Sequence, residues 1–212
     1  MTRRTWLTLA GCALLPPRAR GAPAGDFVAL FDGESLAGWT AIGGAPGTWR
    51  AGDGVLAAPS PGKCWLSTNR AYADFDLRLA YRLGCGGNSG VLLRAPHHGD
   101  PSYEGVEIQL LDDAAPAYRE LKPAQYTGSA YGVIPPERGH ARPAGAWNAL
   151  TIRLVGPALT VTLNGAVVLD ARLDRHAWAL PRHPGLARPR GFLGLQAHET
   201  PVGFRDVAIR EL

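Results

Sequence analysis

The chain has 212 residues, 46% of them hydrophobic and 19% charged, with 27 glycines and 18 prolines. That is the length of one domain with enough apolar material for a core, which excludes intrinsic disorder, and no run of about 18 uncharged apolar residues appears, which excludes a transmembrane helix. The formal charge of +4 rests on Arg3, Arg4, Arg18 and Arg20; without them 18 basic residues face 18 acidic ones, and such a domain lacks the field that gathers nucleic acid.

In chain order, the first feature predicted is an export signal. Met1–Arg4 is short and positive, Trp6–Leu15 is an apolar run stopped by Pro16-Pro17, and Ala22-Pro23-Ala24 supplies small residues for cleavage. The expectation is a signal peptide over 1–24 and a periplasmic or secreted domain over 25–212. Arg3-Arg4 resembles a twin-arginine signal. Leu9–Cys12 resembles a lipobox, ranked below cleavage after Ala24 because its apolar run is short. Cleavage would leave Cys64 and Cys85, either as a disulfide in an oxidising compartment or as two separate small side chains.

The remainder reads as strands. Phe27–Phe31 comes first, then Thr48–Arg50 and Val55–Leu56 around Asp53-Gly54. Asp74–Leu83 alternates cleanly, with Phe75, Leu77, Leu79, Tyr81 and Leu83 on one face. Gly90–Arg94, Tyr103–Leu111 and Trp147–Leu154 follow, then Ala158–Leu163 and Ala166–Leu169 around Asn164-Gly165, then Phe192–Ala197 and Val207–Arg210. Asp-Gly and Asn-Gly tolerate the positive φ of tight hairpins. Long loops rich in Pro, Gly and Arg join the strands, and no helical period of useful length appears. This pattern predicts an all-β fold, a two-sheet antiparallel β-sandwich.

Three strands carry one fully apolar face and one chemically equipped face. Asn88, Gly90, Leu92 and Arg94 share a face in one, Glu107 and Gln109 in the next, and Gly194, Gln196 and His198 in the third. If those strands are neighbours, the polar faces form a groove. Amides and a guanidinium suit a neutral polyhydroxylated ligand, while Glu107 and His198 are the candidate acid and base. Taken singly, each is as well explained as an ordinary exposed strand residue. Tyr103, Tyr126, Tyr131 and Trp178 are candidate exposed aromatics for sugar stacking, whereas Trp39, Trp49, Trp65 and Trp147 read as core.

Several ordered segments carry a family resemblance. Leu30-Phe31-Asp32-Gly33 with Leu36, Gly38 and Trp39 resembles an LFDGxSLxGW opening, Asn88–Arg94 an NSGxxLR segment, and Tyr103–Asp112 a YExxEIQxxD segment. Trp147-Asn148, Leu163-Asn164-Gly165, Gly194–His198 and Val202–Arg205 follow in order. Together they resemble the 3-keto-disaccharide hydrolase domain family over Phe27 to Leu212. The resemblance implies a jelly roll of the concanavalin A-like lectin/glucanase type. It also implies an enzyme cleaving 3-keto-glycosides made by a partner oxidoreductase. A 3-keto group acidifies the C2 hydrogen, so a base can remove it, the C1 substituent can leave, and added water gives net hydrolysis.

On this chain Glu107 and His198 would be base and acid in either order. Asn88, Arg94, Gln109, Gln196, Tyr103 and Tyr131 would hold the substrate. The residues assign no cofactor; a divalent metal ion is an alternative way to polarise the ketone, with Glu107, His198, His97 and His98 as candidate ligands, although none has recognisable metal-site spacing. Glu107-x-Gln109-x-x-Asp112 superficially resembles the paired carboxylates of retaining glucanases, which stand about 5–5.5 Å apart, but its middle residue is an amide. Two alternatives stay open: a non-catalytic, lectin-like carbohydrate-binding module, and a direct glycoside hydrolase on unoxidised glycans.

Overall fold

The computed structural model describes residues 26–59 and 62–212; the expected signal peptide and Cys12 lie outside the described residues. Thirteen strands are present among the described residues: β1 (Val28–Ala29), β2 (Trp39–Ile42), β3 (Arg50–Gly52), β4 (Val55–Ala58), β5 (Cys64–Tyr72), β6 (Phe75–Leu83), β7 (Asn88–Ala95), β8 (Val106–Leu111), β9 (Asn148–Val155), β10 (Ala158–Leu163), β11 (Ala166–Arg172), β12 (Gly191–Ala197) and β13 (Val202–Glu211). The larger sheet runs β11-β10-β9-β6-β13-β4-β3, with β1 also on β13, and the smaller runs β2-β5-β12-β7-β8. Both sheets are antiparallel, so the predicted two-sheet sandwich is the fold observed.

The alternation seen in the sequence explains how the sheets close on each other. On β6, Phe75, Leu77, Leu79, Tyr81 and Leu83 are buried while Arg78 and Arg82 face water. They meet a single core cluster drawn from both sheets, with Ile152, Val161 and Phe204 from the larger and Leu66, Val91, Ile108 and Leu195 from the smaller. Asp76 points outward yet is buried, because the register sets it beside Arg153 on β9 and Arg210 on β13, which pair with it at 2.9 and 2.6 Å. Both hairpin dipeptides take the expected backbone, with φ of 50° and 74° at Asp53-Gly54 and 50° and 90° at Asn164-Gly165.

The opening motif is structural. The Asp32 carboxylate accepts from the Glu34 and Ser35 amides, each at 2.8 Å, and from the Ser35 hydroxyl at 2.6 Å. These donors, the hydroxyl first, hold it down at about 2. The Trp39 indole donates to the Leu30 carbonyl at 2.6 Å, which closes the loop onto the core.

Several expectations need correction. β2 and β5 were not predicted as strands. Tyr103 stands not on a strand but on a single helical turn, α1 (Pro101–Glu104), because the Asp100 side chain caps the Ser102 amide at 3.0 Å and Pro101 supplies a helical φ at the first position. Trp147 is not core: it is half-buried between the Arg82 and Arg205 guanidinium groups, 4.8 and 4.4 Å from its ring. Tyr126 is buried rather than exposed. Cys64 is buried on β5 and Cys85 exposed in the turn after β6, both as free thiols.

Candidate active site on the outer face of the smaller sheet

The order β5-β12-β7-β8 makes the three equipped strands neighbours. Their register fixes which residues lie side by side. Trp65 on β5 faces Gln196 on β12, and Gly90 on β7 faces Gln109 on β8; one step along, Ser67, Gly194, Leu92 and Glu107 form a row across all four strands. Above this floor stand α1 and the segment around Tyr131. That segment covers the β8 edge: the Tyr131 amide donates to the Glu107 carbonyl at 2.9 Å and the Gln109 amide to the Ser129 carbonyl at 3.1 Å, leaving no open strand edge there.

Floor and walls form an open cavity of about 530 Å³. Asn88, Tyr103, Glu107, Gln109, Tyr131, Gln196 and His198 all line it, so seven of the eight residues singled out in the sequence converge. Lys63, Trp65, Asp100 and Ser102 line it as well. Sequence reasoning missed these four. Asp100-Pro101-Ser102 carries a helix-start signal that was available, whereas nothing in the pattern around Trp65 marks it as facing a cavity.

Glu107 is the electrostatic centre. Its side chain is enclosed, and Oε1 has no hydrogen-bond partner. Burial raises its pKa from the ordinary 4.5 to about 7; Asp100 adds to the rise, and the Ser102 hydroxyl and Gln196 amide oppose it. A buried carboxyl with one unpartnered oxygen in a polar cavity is poised to exchange a proton with whatever enters. His198 follows the end of β12, and its pKa is pushed below the usual imidazole value, mainly by partial burial and then by Lys63. It is therefore a neutral imidazole at neutral pH. Burial, then Tyr131 and Asp100, raise the Tyr103 phenol, which keeps it protonated as a hydrogen-bond donor.

The polar side chains hold one another in place. Gln109 Nε2 donates to Asn88 Oδ1 at 3.1 Å, Gln125 Nε2 to the Tyr131 hydroxyl at 3.2 Å, and Gln196 Nε2 to Ser102 Oγ at 3.4 Å. Tyr103 meets Tyr131 edge-on with ring centroids 6.4 Å apart.

Arg94 is the exception, and the strand explains why. Between Gly194↔Leu92 and Phe192↔Ala95, two residues of β7 oppose one of β12, a bulge in which Arg94 takes φ 50°. The alternation inverts there. The guanidinium turns to the Ala73, Gly156 and Arg188 carbonyls at 2.9, 2.8 and 3.2 Å and to Asp74 at 2.9 Å. It borders a separate cavity of about 590 Å³. Arg94 locks loops together and does not reach the Glu107 cavity.

His97 and His98 also lie outside the cavity lining. His97 stacks on Phe192 with centroids 3.6 Å apart, and its Nε2 bonds Ser67 Oγ at 2.7 Å. Among the described residues no three His, Cys, Asp or Glu side chains come together as a ligand group, so His97 and His98 do not join Glu107 and His198 in one. Asp112 is no partner for Glu107 either: it accepts the Gly86 amide at 2.9 Å, outside the cavity lining.

A two-sheet sandwich with an open, amide-rich and aromatic pocket on one outer face defines the chain's class: it is a jelly roll. More narrowly, it belongs to the 3-keto-alpha-glucoside-1,2-lyase-like domain family, whose pattern matches residues 26–210. It is 22% identical to a 3-keto-disaccharide hydrolase of Bacteroides thetaiotaomicron, over 89% of this chain and 79% of that protein. A crystal structure from Parabacteroides distasonis, described as a candidate glycosyl hydrolase, superimposes with a TM-score of 0.76 at 28% identity, covering 89% of this chain and all of that one. The carbohydrate-binding module CBM66 of Bacillus subtilis shares the fold alone, with a TM-score of 0.55 at 14% identity over 82% of this chain and 96% of that one. Family and relatives together support a glycoside-hydrolase-like function.

Proposed function

We propose that the chain is an exported enzyme that cleaves glycosides whose sugar carries a ketone at C3. The carrying observation is Glu107, a buried carboxyl with one unpartnered oxygen and a pKa of about 7, in a cavity lined mostly by neutral donors and acceptors, with Lys63 and Asp100 as its charged members. General-base catalysis is most effective when the base's pKa lies near the working pH. The ionised Glu107 takes the C2 proton, and the electron pair it releases becomes an enolate toward the C3 oxygen. The C1–O bond then breaks, the leaving oxygen taking up the proton that Glu107 removed, which resets the carboxylate, while the neutral His198 imidazole donates a hydrogen bond to that oxygen. Water adds across the resulting C1–C2 double bond, returning a proton to C2 and a hydroxyl to C1, for net hydrolysis. The Tyr103 hydroxyl and the Asn88 and Gln109 amides line the cavity as donors for the enolate oxygen and the sugar hydroxyls. A partner oxidoreductase that oxidises C3 supplies the substrate.

The test compares a plain glucoside with the same glucoside oxidised at C3. The expected result is cleavage of the keto compound alone, with Glu107→Gln lowering kcat by about 10²–10⁴-fold, the usual worth of a positioned acid–base group. Cleavage of the plain glucoside would move the chain to direct hydrolysis. Sugar binding without cleavage of either compound would make it a lectin-like module, in which Glu107 only holds ligand.

A further inference from the structure

Gly90 lies in the middle of β7 with ordinary strand backbone, not the left-handed conformation that demands glycine. A glycine there weakens a strand, and its presence points to something approaching closely. What approaches is Glu107. A Cβ placed on Gly90 would stand 2.8 Å from both Cγ and Cδ of Glu107 and would overlap Oε1. The glutamate starts on β8 in the row beside Leu92 and folds diagonally across the bare backbone of its neighbour.

We propose that Gly90 is a positioning residue: the space left by its missing side chain is the slot that seats the Glu107 carboxyl flat against the sheet and out of water. This rests on the reading of Glu107 as the base. The groups facing that carboxyl are Asp100 and Ser102 at α1, Gln196 from β12 and the Tyr103 phenol. A methyl at position 90 would push the carboxyl up among them, away from the floor. Gly194 offers an internal comparison, because its bare face carries the Trp65 indole, with Leu92 Cδ1 at 3.0 Å, and not Glu107.

The first test needs no substrate. Gly90→Ala is made in the natural chain and in Glu107→Ala, and the four melting temperatures form a cycle. The expected result is that Gly90→Ala lowers Tm by several degrees beside Glu107, or prevents folding, and costs little once Glu107 is cut back. Equal cost in both backgrounds, or failure to fold in both, would overturn the slot. The second test reads the pH–rate profile of folded Gly90→Ala. We expect kcat to fall about tenfold or more and the midpoint to move downward by a unit or more, while Gly194→Ala leaves the midpoint in place. An unmoved midpoint in Gly90→Ala would overturn the positioning role. Full activity in Glu107→Gln would instead sink the catalytic reading and leave the stability cycle to judge the slot alone.

Discussion

At the scale of single residues, Glu107 couples stability to proton uptake. Its folded pKa of about 7 lies above the ordinary 4.5, so the folded state binds the proton more tightly than the unfolded one. The sign follows: the protonated fold carries no penalty below about pH 4.5, and stability falls as pH rises through 7. The span of that shift corresponds to about 3 kcal/mol as an upper bound. Replacing Glu107 by Gln removes the charge and keeps the shape. The variant should melt higher than the natural protein at pH 8 and alike at pH 4, and thermal melts at the two values check this. If Glu107 is the base, catalysis should run opposite to stability, rising across pH 7 as the carboxylate forms.

Elements carry the next set of consequences. The bulge in β7 moved Arg94 from the site to a loop lock, so its replacement should be felt in the fold before the chemistry. Removing a buried guanidinium leaves three carbonyls without their donor and Asp74 without its counter-charge, which costs about 3 kcal/mol by the usual penalty for unpaired buried groups. Arg94→Leu should therefore lower the urea midpoint while leaving KM of the folded fraction unchanged; a raised KM with normal stability would return Arg94 to the substrate. The same bulge marks where strand reading stops working. Period-2 counting put Asn88, Gly90, Glu107, Gln109 and Gln196 on the cavity face because β7, β8 and β12 stay regular over those residues, and His198, just past the end of β12, lines the same cavity. It failed at Arg94, one extra residue later, since a bulge leaves no mark in the hydrophobic pattern. β5 escaped for a related reason. Three of its residues, Thr68 to Arg70, oppose Leu193 alone, and its first five residues are all buried, so no alternation exists to find.

For the whole molecule, both sheets contribute to one core cluster, which makes them a single cooperative unit. Ile108→Ala, which empties a fully buried position on the strand that carries Glu107 and Gln109, should cost about 2–5 kcal/mol. It should shift one unfolding transition without splitting it; two calorimetric transitions would mean that the sheets unfold separately. The sandwich itself was legible from strand number, turn dipeptides and length. Sheet order was not, because it depends on which long loops cross between layers, and those loops carry little periodic signal. The walls of the site were hidden for the same reason: Tyr103 reaches the cavity from α1 and Tyr131 from a loop packed over the sheet, and only the folded chain brings them to Glu107.

Along β8, Val106, Ile108 and Leu110 enter the core while Glu107 and Gln109 enter the cavity. Alternate residues of one short strand thus answer to two separate demands. A substitution at Glu107 or Gln109 alters what the cavity presents; one at Val106, Ile108 or Leu110 alters the core packing. Selection can therefore vary ligand and chemistry at the cavity-facing positions without repacking the core.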